Sequence, residues 1–284
     1  MLPLRHKLRF FPLTAMALAI VVPATPAPAQ GRLEARYTAS VAGIPIGKGS
    51  WVVDIADTHY SAAASGVTTG LIHVFIGGEG TSAAHGTIAG GHWMSSVYAA
   101  TIKMRSKTNE VRLTVNRGDV KEFKLDPPPD QDPERVPISE KYEHGVLDPM
   151  TASLLHVAGT GDMLKPESCQ RTVSVFDGRL RYDLELSYKR MEKVKAKKGY
   201  AGPVLVCGLH FSPLAGYIPT RSAVKYLKKL RSIEVYLAPI AGTRVLAPFR
   251  IQGPTPIGEA MLDANQWVTE AVPTRASSNG VKVQ

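Results

Sequence analysis

The sequence predicts an all-β protein: a strongly curved, mainly antiparallel sheet, a partial or spiral β-barrel carrying one or two short helices. Three observations predict it. Stretch after stretch from Leu33 to Trp267 alternates apolar with small or polar residues, the period of a strand with one face buried. Glycine, asparagine and aspartate steps punctuate those stretches as hairpin turns do. About a dozen such strands in one sheet cannot stay flat, because an open twisted sheet of that size curls or closes.

The elements follow in order. LEARYTASV from Leu33, GKGSWVVDIA from Gly47 and HYSAAASGV from His59 read as three strands of a meander, joined through Gly43-Ile44-Pro45-Ile46-Gly47 and then Asp57-Thr58. The next stretch, TGLIHVFIGG, is compact and apolar with glycines at both ends, and reads as a single helical turn or as a bend that plugs the sheet edge. GTSAAHGTI, HWMSSVYAATIKM, NEVRLTVN and DVKEFKL continue the alternation as four more antiparallel strands. Between the last two, Asn116-Arg117-Gly118-Asp119 makes a tight turn in which Gly118 takes the positive φ. Asp126 to Pro137, DPPPDQDPERVP, holds five prolines in twelve residues. Lacking those N–H groups it cannot pair as a strand and is expected to be an exposed loop.

Asp148 can cap a helix whose first position is Pro149, and Gly159 can stop it. A helix is therefore predicted over about 149–158, with Met150, Leu154, Leu155 and Val157 on its apolar face. Strands resume with CQRTVSVFDG, RLRYDLELSYKRM, GPVLVCGLHFSPLAG, RSIEVYLAPIAG, TRVLAPFRIQGP and IGEAMLDANQWV, the first two joined by a hairpin turn around Asp177-Gly178. SAVKYLKK, Ser222 to Lys229, reads either as a short helix or as a lead-in to a strand. Residues 270–284 lose all periodicity and are expected to be a disordered tail, which leaves residues 30–269 as one curved β domain.

The N-terminus carries an address. Arg5, Lys7 and Arg9 precede an apolar stretch from Phe10 to Val22, and Ala27-Pro28-Ala29 is a small-x-small cleavage site before Gln30. Residues 1–29 are thus predicted to be a cleavable signal peptide and the mature chain to be periplasmic. The apolar stretch is too short for a membrane span, which needs about 20 residues, and no later stretch approaches that length. Removing the leader takes away three basic residues and no acid, leaving 31 Lys and Arg against 24 Asp and Glu. A basic protein in that compartment meets lipid headgroups, lipopolysaccharide and acidic wall polymers, and no nucleic acid partner is expected.

The mature chain has two cysteines, Cys169 and Cys207, in an oxidising compartment that drives thiols to pair. A structural disulfide is expected; in the chain-entropy view a loop of this length contributes roughly 4 kcal/mol. No C-x-x-C spacing points to a redox pair.

Residues that could carry chemistry are few. Of His59, His73, His85, His92, His144, His156 and His210, the closest pair that strand pairing could bring together is His85 and His92, with His73 nearby, and none has metal-motif spacing. No metal or cofactor is expected. A G-x-S-x-G elbow is absent. Asp177, Asp183 and Glu185 could form a carboxylate pair for glycoside cleavage, but Arg179 and Arg181 lie among them and make an exposed charge ladder the simpler reading. The stretch Lys189 to Lys198, KRMEKVKAKK, looks like a protruding hairpin end whose Lys189, Arg190, Lys193, Lys195, Lys197 and Lys198 could touch an anionic membrane surface; Lys225, Lys228, Lys229 and Arg231 could extend it. Trp51, Trp93, Tyr98, Phe176, Tyr182 and Phe211 sit at strand positions that either fill a core or line an apolar concavity for a lipid or acyl chain.

Several segments taken together, YTASVAGIPIGKGSW, LDPMTASLL after the Pro-rich loop, CQRTVSVFDGRLRYDL, Cys207 before PLAGY, and LAPFRIQGPTPIGEAML, resemble the periplasmic domain-of-unknown-function family numbered 3108. The resemblance covers nearly all of Leu33 to Trp267. It implies an exported, β-rich envelope protein similar in outline to curved-sheet lipoprotein carriers, and it brings no catalytic residues. The expectation is a non-enzymatic envelope protein that binds a lipid, a lipoprotein or an envelope protein partner in its curved sheet; the alternative is a hydrolase of cell-wall or surface polysaccharide.

Overall fold

The structure, a computed structural model, describes residues 30–70 and 77–272. The predicted signal peptide, most of the TGLIHVFIGG stretch with His73, and residues from 273 onward lie outside the described residues. The first half of the chain is a meander of seven strands: β1 (Gly31–Val41), β2 (Ile44–Ile55), β3 (His59–Thr68), β4 (Gly78–Ala89), β5 (His92–Met104), β6 (Lys107–Asn116) and β7 (Asp119–Asp126). The second half holds helix α1 (Pro149–Ala152), β8 (Leu155–His156), β9 (Arg171–Phe176), β10 (Arg181–Lys195), β11 (Lys198–Gly199) and β12 (Ala201–Ala215). It ends with helix α2 (Ser222–Lys229), β13 (Ile233–Pro239), β14 (Val245–Thr255) and β15 (Gly258–Ala271).

All fifteen strands belong to one sheet; thirteen follow the order β7-β6-β5-β4-β3-β2-β1-β15-β14-β13-β12-β10-β9, and β8 and β11 join it at β14 and β15. The long pairing of β1 with β15 joins the two ends of the chain, from Gly31 opposite Ala271 to Val41 opposite Ala260. The last strand therefore runs two residues past the predicted domain limit. The tight turn after β6 forms as expected, with Arg117 at φ 52 and Gly118 at φ 86. Bulges at Arg36/Tyr37, Ala39/Ser40, His85/Gly86 and Tyr236/Leu237 add local bend, which helps so wide a sheet to coil.

The edges β7 and β9 do not pair with each other; an extended strap lies between them. Val120 N–H donates to Glu143 O and Val146 N–H to Gly118 O on one side, while Leu147 N–H donates to Ser174 O and Phe176 N–H to Leu147 O on the other. The sheet is thus an unclosed barrel whose seam is bridged by residues 143–147.

Two sequence expectations are corrected. The helix predicted over 149–158 stops after Ala152. Leu154 N–H turns back to Thr151 O, and Leu155 and His156 pair with Leu246 and Val245 of β14. Leu155 and Val157, read as one helix face, are alternate residues of an extended segment, and both are buried. The basic hairpin does not protrude. Val194 and Ala196 are buried, Tyr200 N–H donates to Trp267 O, and β11 pairs in parallel with β15, so the tip is folded onto the sheet.

The main core lies inside the barrel and includes Leu33, Val53, Leu113, Val206, Phe249 and Trp267. A smaller cluster gathers Leu155, Val157, Leu205, Val235, Leu237 and Leu246 around Cys169 and Cys207. Those two cysteines are bonded, with Cα atoms 5.6 Å apart. The bridge fastens the segment between α1 and β9 onto β12.

Candidate functional site: an apolar hollow on a glycine floor

Strand register decides what faces the interior of the first half. In one cross-strand row Tyr37, Gly49, Gly66, Gly80 and Ile102 lie side by side on β1 to β5. Two residues nearer the ends of the strands the row is Ala39, Gly47 and Thr68, with Gly78 opposite Met104; two residues deeper it is Ala35, Trp51, Ala64, Ser82 and Ala100. Small side chains at these inward positions leave the backbone bare. The result is a hollow of about 730 Å³ between β2–β5, helix α1 and strands β14 and β15. Its volume is that of a typical small-molecule site.

The walls are mainly hydrocarbon. Ile102 and Met104 close one side, Ile251, Leu262 and Pro248 another, Met150 and Pro149 of α1 form the roof, and Trp51 and Tyr98 stand at the deep end. Ile102 is 52% exposed and Met104 44%, although both face inward. Burial pushes the Tyr98 hydroxyl up to about 12, so it stays protonated. Trp51 Nε1 has no hydrogen-bond partner among the described residues. On the opposite face of the same glycines a second groove, about 710 Å³, is lined by outward-facing polar residues such as Arg36, Lys48, Ser50, Ser65 and Lys103. The floor is one backbone thick.

Not every glycine here serves the same purpose. At Gly86 a Cβ would meet Met94 O at 2.1 Å and the Tyr60 hydroxyl at 2.5 Å, so the fold itself excludes a side chain. At Gly66 and Gly80 the nearest atom would be 3.6 Å away, an ordinary contact, and neither residue has a left-handed φ. Glycine in a strand interior normally costs stability. Neither local conformation nor packing requires it at these two positions, whereas an open floor does.

A buried polar pin holds the roof. Asp148, fully buried, accepts hydrogen bonds from Met150 N–H and Thr151 N–H at 2.9 and 3.0 Å, from Ser95 Oγ at 2.6 Å and from Thr151 Oγ1 at 2.5 Å. Tyr60 and Thr151 share a further hydroxyl bond of 2.6 Å. Every carboxylate lone pair is engaged, and the arrangement caps α1 and ties it to β5.

The predicted lining is corrected by these positions. Trp51 and Tyr98 border the hollow, but Trp93 packs at a tilt against Tyr60 (ring centroids 4.4 Å), Phe176 packs edge-on against Phe123 (5.3 Å), and Tyr182 lies against Phe211 (5.2 Å), all away from it. Sequence reasoning looked for large residues and missed Gly66, Gly80, Ile102 and Met104. The available signal was the run of Gly, Ala and Ser at alternate positions of β2–β4.

Other candidates are dispersed. Asp177 accepts from Arg179 N–H and Leu180 N–H in a turn, Asp183 pairs with Arg181 at 2.7 Å, and Glu185 accepts from Ser212 Oγ. Burial raises the Asp177 pKa. Arg190 is held by Glu234 and Glu192, so it is not a free surface cation, whereas Lys189, Lys193, Lys195, Lys197 and Lys198 are exposed. Ser222-Ala223-Val224-Lys225 has S-x-x-K spacing that sequence reasoning overlooked, but both Ser222 and Lys225 are exposed on α2. Among the described residues no three His, Cys, Asp or Glu side chains converge as metal ligands. No described helix is long and apolar enough to cross a membrane.

Comparison with known proteins places the chain in a family without assigning it an activity. A search of curated proteins found no match. Among solved structures it is similar to a beta-barrel-like protein of domain of unknown function DUF1849 from Brucella abortus, at 10% identity and a TM-score of 0.45, over 87% of this chain and 100% of that one. The sequence model of DUF3108, a family of proteins of unknown function, matches residues 36–265, the span from β1 to β15 that builds the barrel and its hollow, and the chain belongs to that family.

Proposed function

We propose that the protein is an exported, non-enzymatic component of the cell envelope that binds the hydrocarbon part of a lipid or lipoprotein in the hollow. The observation that carries this reading is the glycine floor. Gly66 and Gly80 forgo side chains that the fold has room for, beneath walls made of Ile102, Met104, Ile251 and Leu262. Removing such apolar surface from water favours an occupant by roughly 25 cal/mol per Å². The export signal in residues 1–29 supports a periplasmic setting. A polysaccharide hydrolase draws less support, because Asp148, Asp177, Asp183 and Glu185 are committed to separate structural contacts.

The test is native mass spectrometry of protein purified gently from periplasm, followed by organic extraction and by titration of stripped protein with parinaric acid, a fluorescent fatty acid. The reading expects a reproducible added mass that extracts as lipid, and saturable uptake of the probe. A clean apo mass together with no saturable uptake would overturn it.

A further inference from the structure

Strand direction gathers several connections at the end of the barrel where the hollow reaches the surface. The β1–β2, β5–β6 and β14–β15 turns lie there, and Ala42 N–H donates to Glu259 O between two of them. The β12–β13 connection, which carries α2, lies there too, because the start of β13 pairs with the far end of β14 (Glu234 opposite Gln252). Among the described residues, six of the eleven large apolar side chains that are most exposed belong to this end: Ile44 (66%), Ile257 (77%), Val67, Ile102, Met104 and Leu227. Single exposed leucines are ordinary, but a cluster at one end marks a contact surface.

Helix α2 supplies the charge. None of its residues is buried, and from Arg221 to Arg231 there are five cations and no acid. Lys225, Lys228 and Lys229 flank the exposed Leu227 and the half-exposed Val224 and Tyr226. Lys103, Arg105 and Lys107 surround Met104. Of the acids at this end, Glu79 is paired with Lys103 at 3.3 Å and Glu134 is bonded to Thr220, while Glu259 beside Ile257 and Asp126 at the end of β7 are exposed and are outnumbered by Arg105, Lys107 and the cations from Arg221 to Arg231. A short basic amphipathic helix beside protruding isoleucines is complementary to an anionic lipid surface, into which apolar tips insert while lysines meet the headgroups.

We infer that this end of the barrel, with α2, Ile44 and Ile257 at its rim, is a docking surface for an anionic membrane. The basic tip of β10–β11 is at the opposite end, since Lys198 pairs with Gln266 far along β15, so the same docking would not engage it. The docking itself stands on these surface residues; it rests on the lipid-binding reading only in that a docked membrane would face the mouth of the hollow.

The test is flotation of the chain from Gln30 onward with vesicles of phosphatidylcholine alone and with phosphatidylglycerol added. The folded protein floats with the anionic vesicles, less so at high salt. Reversing Lys225, Lys228 and Lys229 to Glu lowers the bound fraction at least about tenfold. Ile257→Ser lowers it further, while reversing Lys193, Lys195 and Lys197 leaves it unchanged; thermal melting of each variant checks that it is folded. Failure of the native chain to float with anionic vesicles, or loss of flotation on reversing the hairpin and not α2, would overturn the inference. Parinaric acid uptake is measured without vesicles, so failure of docking and failure of the hollow are separate results.

Discussion

The two halves of this sheet share one hydrogen-bonded framework and treat their inward positions in opposite ways. In β2–β4 most inward residues near the open end are small, among them Gly47, Gly49, Ala64, Gly66, Gly78, Gly80 and Ser82, and the sheet encloses space. In β12–β14 consecutive residues are buried on both faces: Val204 to Cys207, Val235 to Ala238 and Val245 to Ala247. One face of that half packs into the barrel and the disulfide-bonded segment Leu155–Cys169 covers the other. Strands buried on both sides read as continuous apolar runs, and strands facing a hollow read as small residues alternating with polar ones. The second half is therefore the rigid scaffold and the first is the half free to change its contents.

That contrast can be broken or sharpened by mutation. The largest effect is expected at the disulfide, which holds the cover on the packed half. Cys169→Ser or Cys207→Ser should each cost about 2–5 kcal/mol, and the double variant no more than either, as read by denaturant unfolding. Additive losses would show that the two thiols act separately. Next, Leu246→Ala in the packed half should cost about 2–5 kcal/mol through the cavity it leaves. Ile102→Ala in the hollow should change stability by no more than about 0.5 kcal/mol, because its side chain is already half exposed. Equal losses at the two sites would erase the distinction between the halves.

A smaller effect concerns His156 of β8, at the border between the halves. Burial, with Arg244, Arg171 and His92 nearby, holds its pKa below the usual imidazole value. The unfolded chain then binds more protons at His156 than the folded one as pH falls through about 6.5, so this group removes stability on acidification and contributes nothing above that range. His156→Gln should flatten part of the fall in melting temperature between about pH 7 and pH 5. An unchanged slope would assign that fall to other groups.

Much of the architecture was legible in the sequence because alternation and turn chemistry are local. The strands, the Asn116–Asp119 turn, the Asp177-Gly178 turn and the cap at Asp148 all follow from neighbouring residues. The length of α1 did not, because the fate of Leu155 and His156 is decided by β14, about ninety residues away in sequence, whose free edge captures them. The docking of the Lys189–Lys198 hairpin onto the sheet was not legible for the same reason: its partner is β15. The site was legible only in part. Trp51 and Tyr98 were singled out for their size, whereas the hollow is made by residues with almost no side chain, and their meaning appears only when register sets Gly49, Gly66 and Gly80 side by side.

The central claim is that Gly66 and Gly80 exist to keep the hollow open, and Gly66→Leu tests it most directly. Parinaric acid titration and thermal melting of the variant are compared with those of the native chain. The account predicts a melting temperature equal to or above the native one, since a Cβ meets nothing closer than 3.6 Å and leucine is a better strand residue than glycine, together with at least a tenfold loss of probe affinity. Unchanged affinity in a folded Gly66→Leu protein would contradict it.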